Sequence, residues 1–471
     1  MNIAVLTSEL ALFALASLVL VLDLILPKDL SRRSLGYLAV VGLAGGFAYT
    51  CTLYGRTEFF LPGIFTLDNF AVFFKQVFLL AVGLSILFSF EYVERLAGYQ
   101  GEFYALLLLA LCGMMMMVSA TDLLTLFISI ELMSISFYIL VGMNFNNKKS
   151  SEAGVKYLVL GSLSSAAMLY GISWVYGACG SIVLGEIAQT YTATPAMLLG
   201  MSLILTGLCF KMAVVPLHLW APDVYEGAPI PITAVLAMSS ETAAIAVCLR
   251  VFLEAFAPLQ GYWLPLVSGA AVLSMIVGNV AAIWQSDVKR LLAYSSISQA
   301  GYMLSGLIAA NAAGVKGTMF YGMLYVFANV GAFAVVTAVQ QNSGASTVRS
   351  FSGLAQRAPF LAAVMLVSLL SMAGIPPMAG FAGKLYLFTA VAEQGYLWVA
   401  MVGFLMSMIS VYYYLLVVKA MYMHKAEAEE PFVSGVSLRL AAGIGLFFTL
   451  LLGVYPEPLA ALSTIAAAVL W

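Results

Sequence analysis

Apolar runs separated by short polar stretches recur along the whole chain. They lie near residues 3–26, 35–54, 70–90, 103–119, 123–143, 155–177, 196–219, 231–256, 263–284, 291–310, 318–340, 359–392, 397–423 and 437–455. A spanning helix needs about 20 apolar residues, so the pattern predicts an all-α polytopic membrane protein of about 14 transmembrane helices, numbered as spans 1–14 in chain order. The first run carries Glu9 and Asp23 and has its basic residues after it, which is the reverse of a cleaved leader.

Composition agrees with this reading. The 471 residues are 63% hydrophobic and only 9% charged, against about 25% charged in soluble domains. That excludes a secreted domain, a nucleic-acid binder and a soluble enzyme with a membrane tail. The net charge of −2 gives no reason for a polyanionic partner. The cysteines Cys51, Cys112, Cys179, Cys209 and Cys248 are scattered without a C-x-x-C pair, as small buried hydrophobes are. His218 and His424 are the only histidines and stand far apart, and no glycine-rich nucleotide motif follows a strand. No cofactor or metal site is expected in this chain; electrons or ATP, if they drive it, belong to another subunit.

Loop charge predicts orientation. Odd-numbered loops hold Lys28, Arg32, Arg33, Arg95, Lys148, Lys149, Lys289, Arg290, Arg349, Arg357 and Lys425, whereas even-numbered loops hold only Arg56 and Lys316. Positive charge stays on the cytoplasmic side, so both termini are expected on the outer, periplasmic side of an inner membrane.

Spans 7 and 12 are broken by proline, at Pro216 and at Pro376-Pro377, each break within eight residues of an in-span lysine. Freed carbonyls are tolerated at membrane depth only beside protein or water. Pro216 and Pro376 stand 160 residues apart, and spans 4 and 9 begin with the same offset. Two five-helix repeats are predicted, spans 4–8 and 9–13, inverted relative to each other because the number of spans between matching helices is odd. Interrupted helices at matching places in inverted repeats mark a transport path. The expected organisation is a three-helix extension over 1–102, repeats over 103–256 and 263–424, and span 14 within 425–471.

Charge inside a bilayer costs several kcal/mol and is usually paired or beside a hydrated path. Glu131 in span 5, Lys211 in span 7, Glu241 early in span 8, Lys384 in span 12 and Lys419 late in span 13 are the candidates. Lys75 and Lys156 lie nearer the ends and are expected to snorkel. Glu152 with Lys156, and Arg250 with Glu254, have the spacing of plain helix-face ion pairs. Glu131 and Lys211 are read as a mid-span pair. Burial favours the neutral amine and a neighbouring carboxylate favours the ammonium, so moving that carboxylate switches the lysine's protonation.

These residues carry a family resemblance. Cys209-Phe-Lys211-Met-Ala-Val-Val-Pro216-Leu-His218-Leu-Trp220-Ala-Pro-Asp223-Val-Tyr225-Glu226-Gly227 closely resembles the seventh-helix motif of the antiporter-like membrane subunits of proton-pumping NADH:quinone oxidoreductase (respiratory complex I), most of all the subunit N branch. Asp287-Val-Lys289-Arg290 through Gln299-Ala-Gly301-Tyr302, and Ala373-Gly374-Ile375-Pro376-Pro377 through Lys384, are similar to that family's motifs in spans 9–10 and 12.

The resemblance implies a membrane-arm subunit moving protons beside other membrane-arm subunits and lipid. NADH, FMN, Fe–S clusters and quinone would belong to partner subunits. It implies that Glu131 and Lys211 form the coupling pair and that Lys384 is the terminal lysine. Two departures fall on the lateral relay: Glu241 where the family usually has lysine, and Gln299 where many relatives have histidine. Glu241 is placed on the path, with His218, Tyr294, Ser298, Gln299, Tyr302 and Lys419 as further relay candidates. An Na⁺/H⁺ antiporter or membrane hydrogenase subunit of the same fold, and an inert membrane-arm scaffold, are the alternatives.

Overall fold

The computed structural model describes residues 3–27, 31–61, 63–96, 98–426 and 432–471. Lys28, one of the loop cations, lies outside the described residues. Among the described residues, eleven helices are long and apolar enough to cross a membrane: spans 1–6, 8, 9, 11, 13 and 14. Span 7 is the helix Pro195–Lys211 followed, after a non-helical stretch, by Trp220–Gly227; span 12 is Pro359–Ala373 followed by Ala379–Glu393. Span 10, Val288–Ala309, completes the fourteen. It is less apolar because it carries Lys289, Arg290, Ser295, Ser296, Ser298 and Gln299. A short helix not anticipated from hydropathy, Glu457–Ala467, follows span 14 and packs on spans 3 and 11.

The two repeats match in local chemistry. Asp122 caps span 5 (Leu123–Val141), accepting from the amides of Leu124 and Thr125 at 2.9 and 2.8 Å. Asp287 caps span 10 by accepting from Arg290 N at 3.1 Å. A carboxylate here answers otherwise unpaired amides and the positive end of the helix. Each aspartate also forms an isolated antiparallel bridge, Asp122 with Val183 and Asp287 with Thr347. Spans 6 (Lys148–Cys179) and 11 (Ala312–Ser343) are both 32 residues long, begin at a capping asparagine (Asn147, Asn311) and end on a left-handed glycine (Gly180, Gly344). Gly113 on span 4 lies against the backbone of Ser129 and Met133, as Gly278 on span 9 (Ala257–Ala282) lies against that of Tyr294 and Ser298. Five crossings separate the matching helices, so equivalent joints lie at opposite faces.

Odd-numbered loops gather on one face, where a cavity of about 500 Å³ is lined by residues such as Arg95, Lys149, Glu226, Lys289 and Gln340. Beside it, Asp223 and Glu226 at the end of span 7 join spans 6 and 10: Lys156 and Arg290 each reach Asp223 at 2.8 Å, and Lys149 and Arg290 reach Glu226 at 2.6 and 2.9 Å. The anticipated Glu152–Lys156 pair forms at 2.7 Å.

Two other expectations are corrected. Lys75 does not snorkel: it is fully buried and paired with Glu9 at 2.6 Å, so the chain solvates its amine internally. Arg250 pairs with Asp68 at 2.8 Å rather than with Glu254, because Asp68, the cap of span 3 (Asn69–Val93), presents both oxygens to one guanidinium nitrogen.

Two predictions follow from this packing. A Cβ on Gly278 would stand 2.7 Å from Ser298 N and 2.8 Å from Tyr294 O, so Gly278→Val should force spans 9 and 10 apart at a cost of about 1–3 kcal/mol, read as a lower melting temperature of the purified complex. Burial raises the Asp223 and Glu226 carboxyls, but their lysine and arginine partners outweigh it and hold both below their ordinary values. Their stabilisation is therefore present at neutral pH and lost as pH falls through and below about 4. Asp223→Asn should lower the melting temperature at pH 7, and the gap from the unaltered chain should close in acid.

A candidate functional site of buried charges

Lys211 is the last helical residue of the first half of span 7. Beyond it the backbone turns through Ala213 at φ +53°. The amide of Val215 is satisfied by Ser274 Oγ of span 9 at 2.9 Å, and Trp220 Nε1 ties the second half back to Phe210 O at 2.9 Å. Ending the helix at Lys211 leaves its side chain beside span 5. Its Nζ donates to Ser134 Oγ at 2.7 Å and to Tyr138 Oη at 3.3 Å. Glu131 accepts from Ser165 Oγ of span 6 at 2.5 Å. Residues 131, 134 and 138 recur at three and four positions, on one face of span 5. Glu131 and Lys211 thus do not form the direct ion pair read from the sequence; hydroxyls meet each of them instead.

Span 8 (Ile230–Ala255) departs from α-helical geometry at Leu236–Ser240, a π-helical turn that ends at Glu241. Such turns re-aim side chains and recur at functional sites. Glu241 Oε1 accepts from the Tyr225 hydroxyl and from Ser296 Oγ of span 10 at 3.0 Å, whereas Oε2 is buried without a partner among the described residues. Aromatic rings fill the space between Lys211 and Glu241. Tyr138 meets Tyr157 edge-on at 4.9 Å, Tyr157 stacks on Trp220 at 4.6 Å, and Trp220 meets Tyr225 at 6.2 Å.

One turn beyond Ser296 lies Gln299. Its Oε1 accepts from the Tyr321 hydroxyl of span 11, and its Nε2 donates to Met372 O at 3.1 Å. That carbonyl is free because the helix ends at Ala373, with Gly374 left-handed at φ +83°. Lys384 supplies the missing donors. Its Nζ reaches Met372 O at 2.8 Å, Ala373 O at 3.1 Å and Ser407 Oγ of span 13 (Leu397–Met423) at 2.7 Å. It also lies 4.6 Å from the Tyr302 ring centre. Tyr302 Oη accepts from Asn279 Nδ2, and Tyr413 donates to Asn279 Oδ1, both at 3.0 Å. Lys211, Glu241, Gln299 and Lys384 are each no more than 2% exposed; Glu131 is half-buried.

The structure thus places Lys211, Glu241, Gln299, Tyr302 and Lys384, with the half-buried Glu131, in a polar row that aromatic rings interrupt between Lys211 and Glu241, with the breaks at Pro216 and Pro376-Pro377 beside the two lysines. It does not join the other candidates to that row. Ser298 bonds Ser295 O of its own helix at 2.7 Å. His218, in the break of span 7, is half-buried and has no side-chain hydrogen bond to these groups among the described residues. Tyr294 is half-buried, and Lys419 is exposed beside a recess of about 670 Å³ that also holds His424 and Lys425. Sequence reading missed Ser165, Tyr138, Tyr225, Ser296, Tyr321 and Ser407. Their hydroxyls carry no charge to mark them, although the three-residue spacing of Ser296 and Gln299 was a usable sign.

Comparison with known proteins agrees with this geometry. A family described as "NADH:quinone oxidoreductase/Mrp antiporter, TM" matches residues 120–410. NADH-quinone oxidoreductase subunit N of Heliobacterium modesticaldum is 47% identical over 99% of both chains. A chain of respiratory complex I from Thermus thermophilus superposes with a TM-score of 0.83 at 32% identity, over 98% of this chain and 100% of that one. A chain of the Mrp complex from Dietzia sp., 22% identical over 98% of both chains with a TM-score of 0.85, shares the fold. The chain therefore belongs to the NADH:quinone oxidoreductase/Mrp antiporter family, in its subunit N branch, the antiporter-like subunits of the membrane arm of complex I.

Proposed function

We propose that this chain carries protons across the inner membrane along the row from Glu131 and Lys211 through Glu241 to Lys384, without redox chemistry of its own. The observation that carries the reading is the row itself: three ionisable groups buried almost completely, each met by hydroxyls or carbonyls rather than by an opposite charge, between two helix breaks. Hydrocarbon-filled packing would be cheaper for a scaffold. NADH, FMN, Fe–S clusters and quinone are assigned to partner subunits. The excess of cations in odd-numbered loops supports both termini on the outer side. Residues 1–102 and 425–471 are read as helices flanking the two repeats.

Quinone reduction elsewhere in the complex would change the electrostatics at Glu131. Unit charges about 6 Å apart in an effective dielectric of about 20 interact by about 3 kcal/mol, roughly a hundredfold in a protonation equilibrium. Moving or neutralising Glu131 is therefore enough to change whether Lys211 holds its proton. A released proton passes toward Glu241, whose two hydroxyl donors stabilise the carboxylate and whose Oε2 is free to receive it. Lys384 holds the proton at the far break until it leaves.

In proteoliposomes containing the assembled complex, Lys211→Ala and Glu131→Gln should lower the protons moved per electron more than they disturb assembly. A normal proton yield from assembled Lys211→Ala complex would defeat the reading. A reporter active only outside the cytoplasm should be active when fused after Arg56 and inactive after Lys148; the opposite pattern would invert the topology.

A further inference from the structure

Between Glu241 and Lys384 the row passes Gln299, a side chain that cannot take up and release a proton at neutral pH, since its amide is already fully protonated and only weakly basic. Its two ends are both engaged: Oε1 by the Tyr321 hydroxyl, Nε2 on the Met372 carbonyl that Lys384 also holds. Tyr321 is nearly fully buried, and its ring packs directly on Gly383, the residue before Lys384, where a Cβ would collide with it. Ser296, which donates to Glu241, lies one helical turn from Gln299, about 5–6 Å, the span of one bridging water. Tyr321 thus puts a hydroxyl on Gln299, whose other end shares the Met372 carbonyl with Lys384.

We propose that Tyr321 is the group through which the proton crosses from the Glu241 side to Lys384, and that Gln299 is a positioning residue holding its hydroxyl until the transfer. This rests on the proton-transport reading above. In the step, neutral Glu241 gives up its proton through Ser296 or a bridging water to the Tyr321 oxygen. As that O–H bond forms, the original Tyr321 O–H bond breaks and its proton bonds to the neutral Lys384 Nζ. Glu241 ends as a carboxylate, Lys384 as an ammonium, and Tyr321 is unchanged.

The test compares Tyr321→Phe, which keeps the ring and removes the hydroxyl, with Lys384→Met, each as assembled complex in proteoliposomes, by protons moved per electron. Tyr321→Phe should lose the same share of the yield as Lys384→Met. Gln299→Leu should lose part of it and Gln299→His, whose ring nitrogen can accept from Tyr321, should restore it; a merely space-filling role would not separate these two. A normal yield from Lys384→Met would overturn the underlying transport reading. A deficient Lys384→Met beside a normal Tyr321→Phe would overturn the Tyr321 assignment alone. Should Tyr321→Phe fail to assemble, equal yields from Gln299→Leu and Gln299→His would overturn it instead.

Discussion

A charge in hydrocarbon has to be solvated by the protein that carries it, and the unusual features of this chain answer that demand. Within a continuous helix each carbonyl is already bonded four residues on and screened by the following turn, so it has little to offer an ammonium from another helix. Ending a helix mid-membrane releases them. At span 12 the freed carbonyls of Met372 and Ala373 become ligands for Lys384; at span 7 the break lets Lys211 reach the hydroxyls of span 5. The helix interruptions and the buried lysines are two aspects of one solution.

Two kinds of buried charge coexist. Lys75 with Glu9, and Arg250 with Asp68, are close pairs of opposite sign. Breaking such a pair leaves an uncompensated charge at a cost of about 3–5 kcal/mol, so these pairs hold spans 1, 3 and 8 together and have no reason to change state. The charges of the row meet neutral oxygens instead. Lys211 and Lys384 have no carboxylate in contact among the described residues, and Glu241 has only hydroxyls. Their protonation is correspondingly open to distant charge.

Most of the architecture was legible in the sequence because lipid imposes it. Fourteen apolar runs, two proline breaks and lysines at Lys211 and Lys384 are conspicuous against so apolar a composition. The inverted repeat was also visible, although its offset was read from the breaks; the matching caps Asp122 and Asp287, and Asn147 and Asn311, follow a slightly longer one because the breaks differ in length. Partnership was not legible. Spacing puts Glu131 and Ser134 on one helix face but does not say which of them meets a lysine from another span. Position within a run misled for Lys75, since nearness to a helix end does not reveal that span 1 brings Glu9 over it. Among hydroxyl residues Tyr294, Ser298 and Tyr302 were singled out and Ser296 and Tyr321 were not, because serine and tyrosine are common in membrane helices and only tertiary packing selects among them.

The serines that receive the two lysine amines have a common arrangement. Ser134 donates its own hydrogen to Ile130 O at 2.6 Å while accepting from Lys211, and Ser407 donates to Ala373 O at 2.7 Å while accepting from Lys384. A hydroxyl can rotate about its C–O bond and reverse roles. When the amine is neutral, the same serine can turn its hydrogen toward the nitrogen lone pair without moving a heavy atom. Under the proposed proton transport, the loaded and empty forms of each lysine site would share one skeleton, and the reorganisation in each cycle would shrink to the turning of a single rotor.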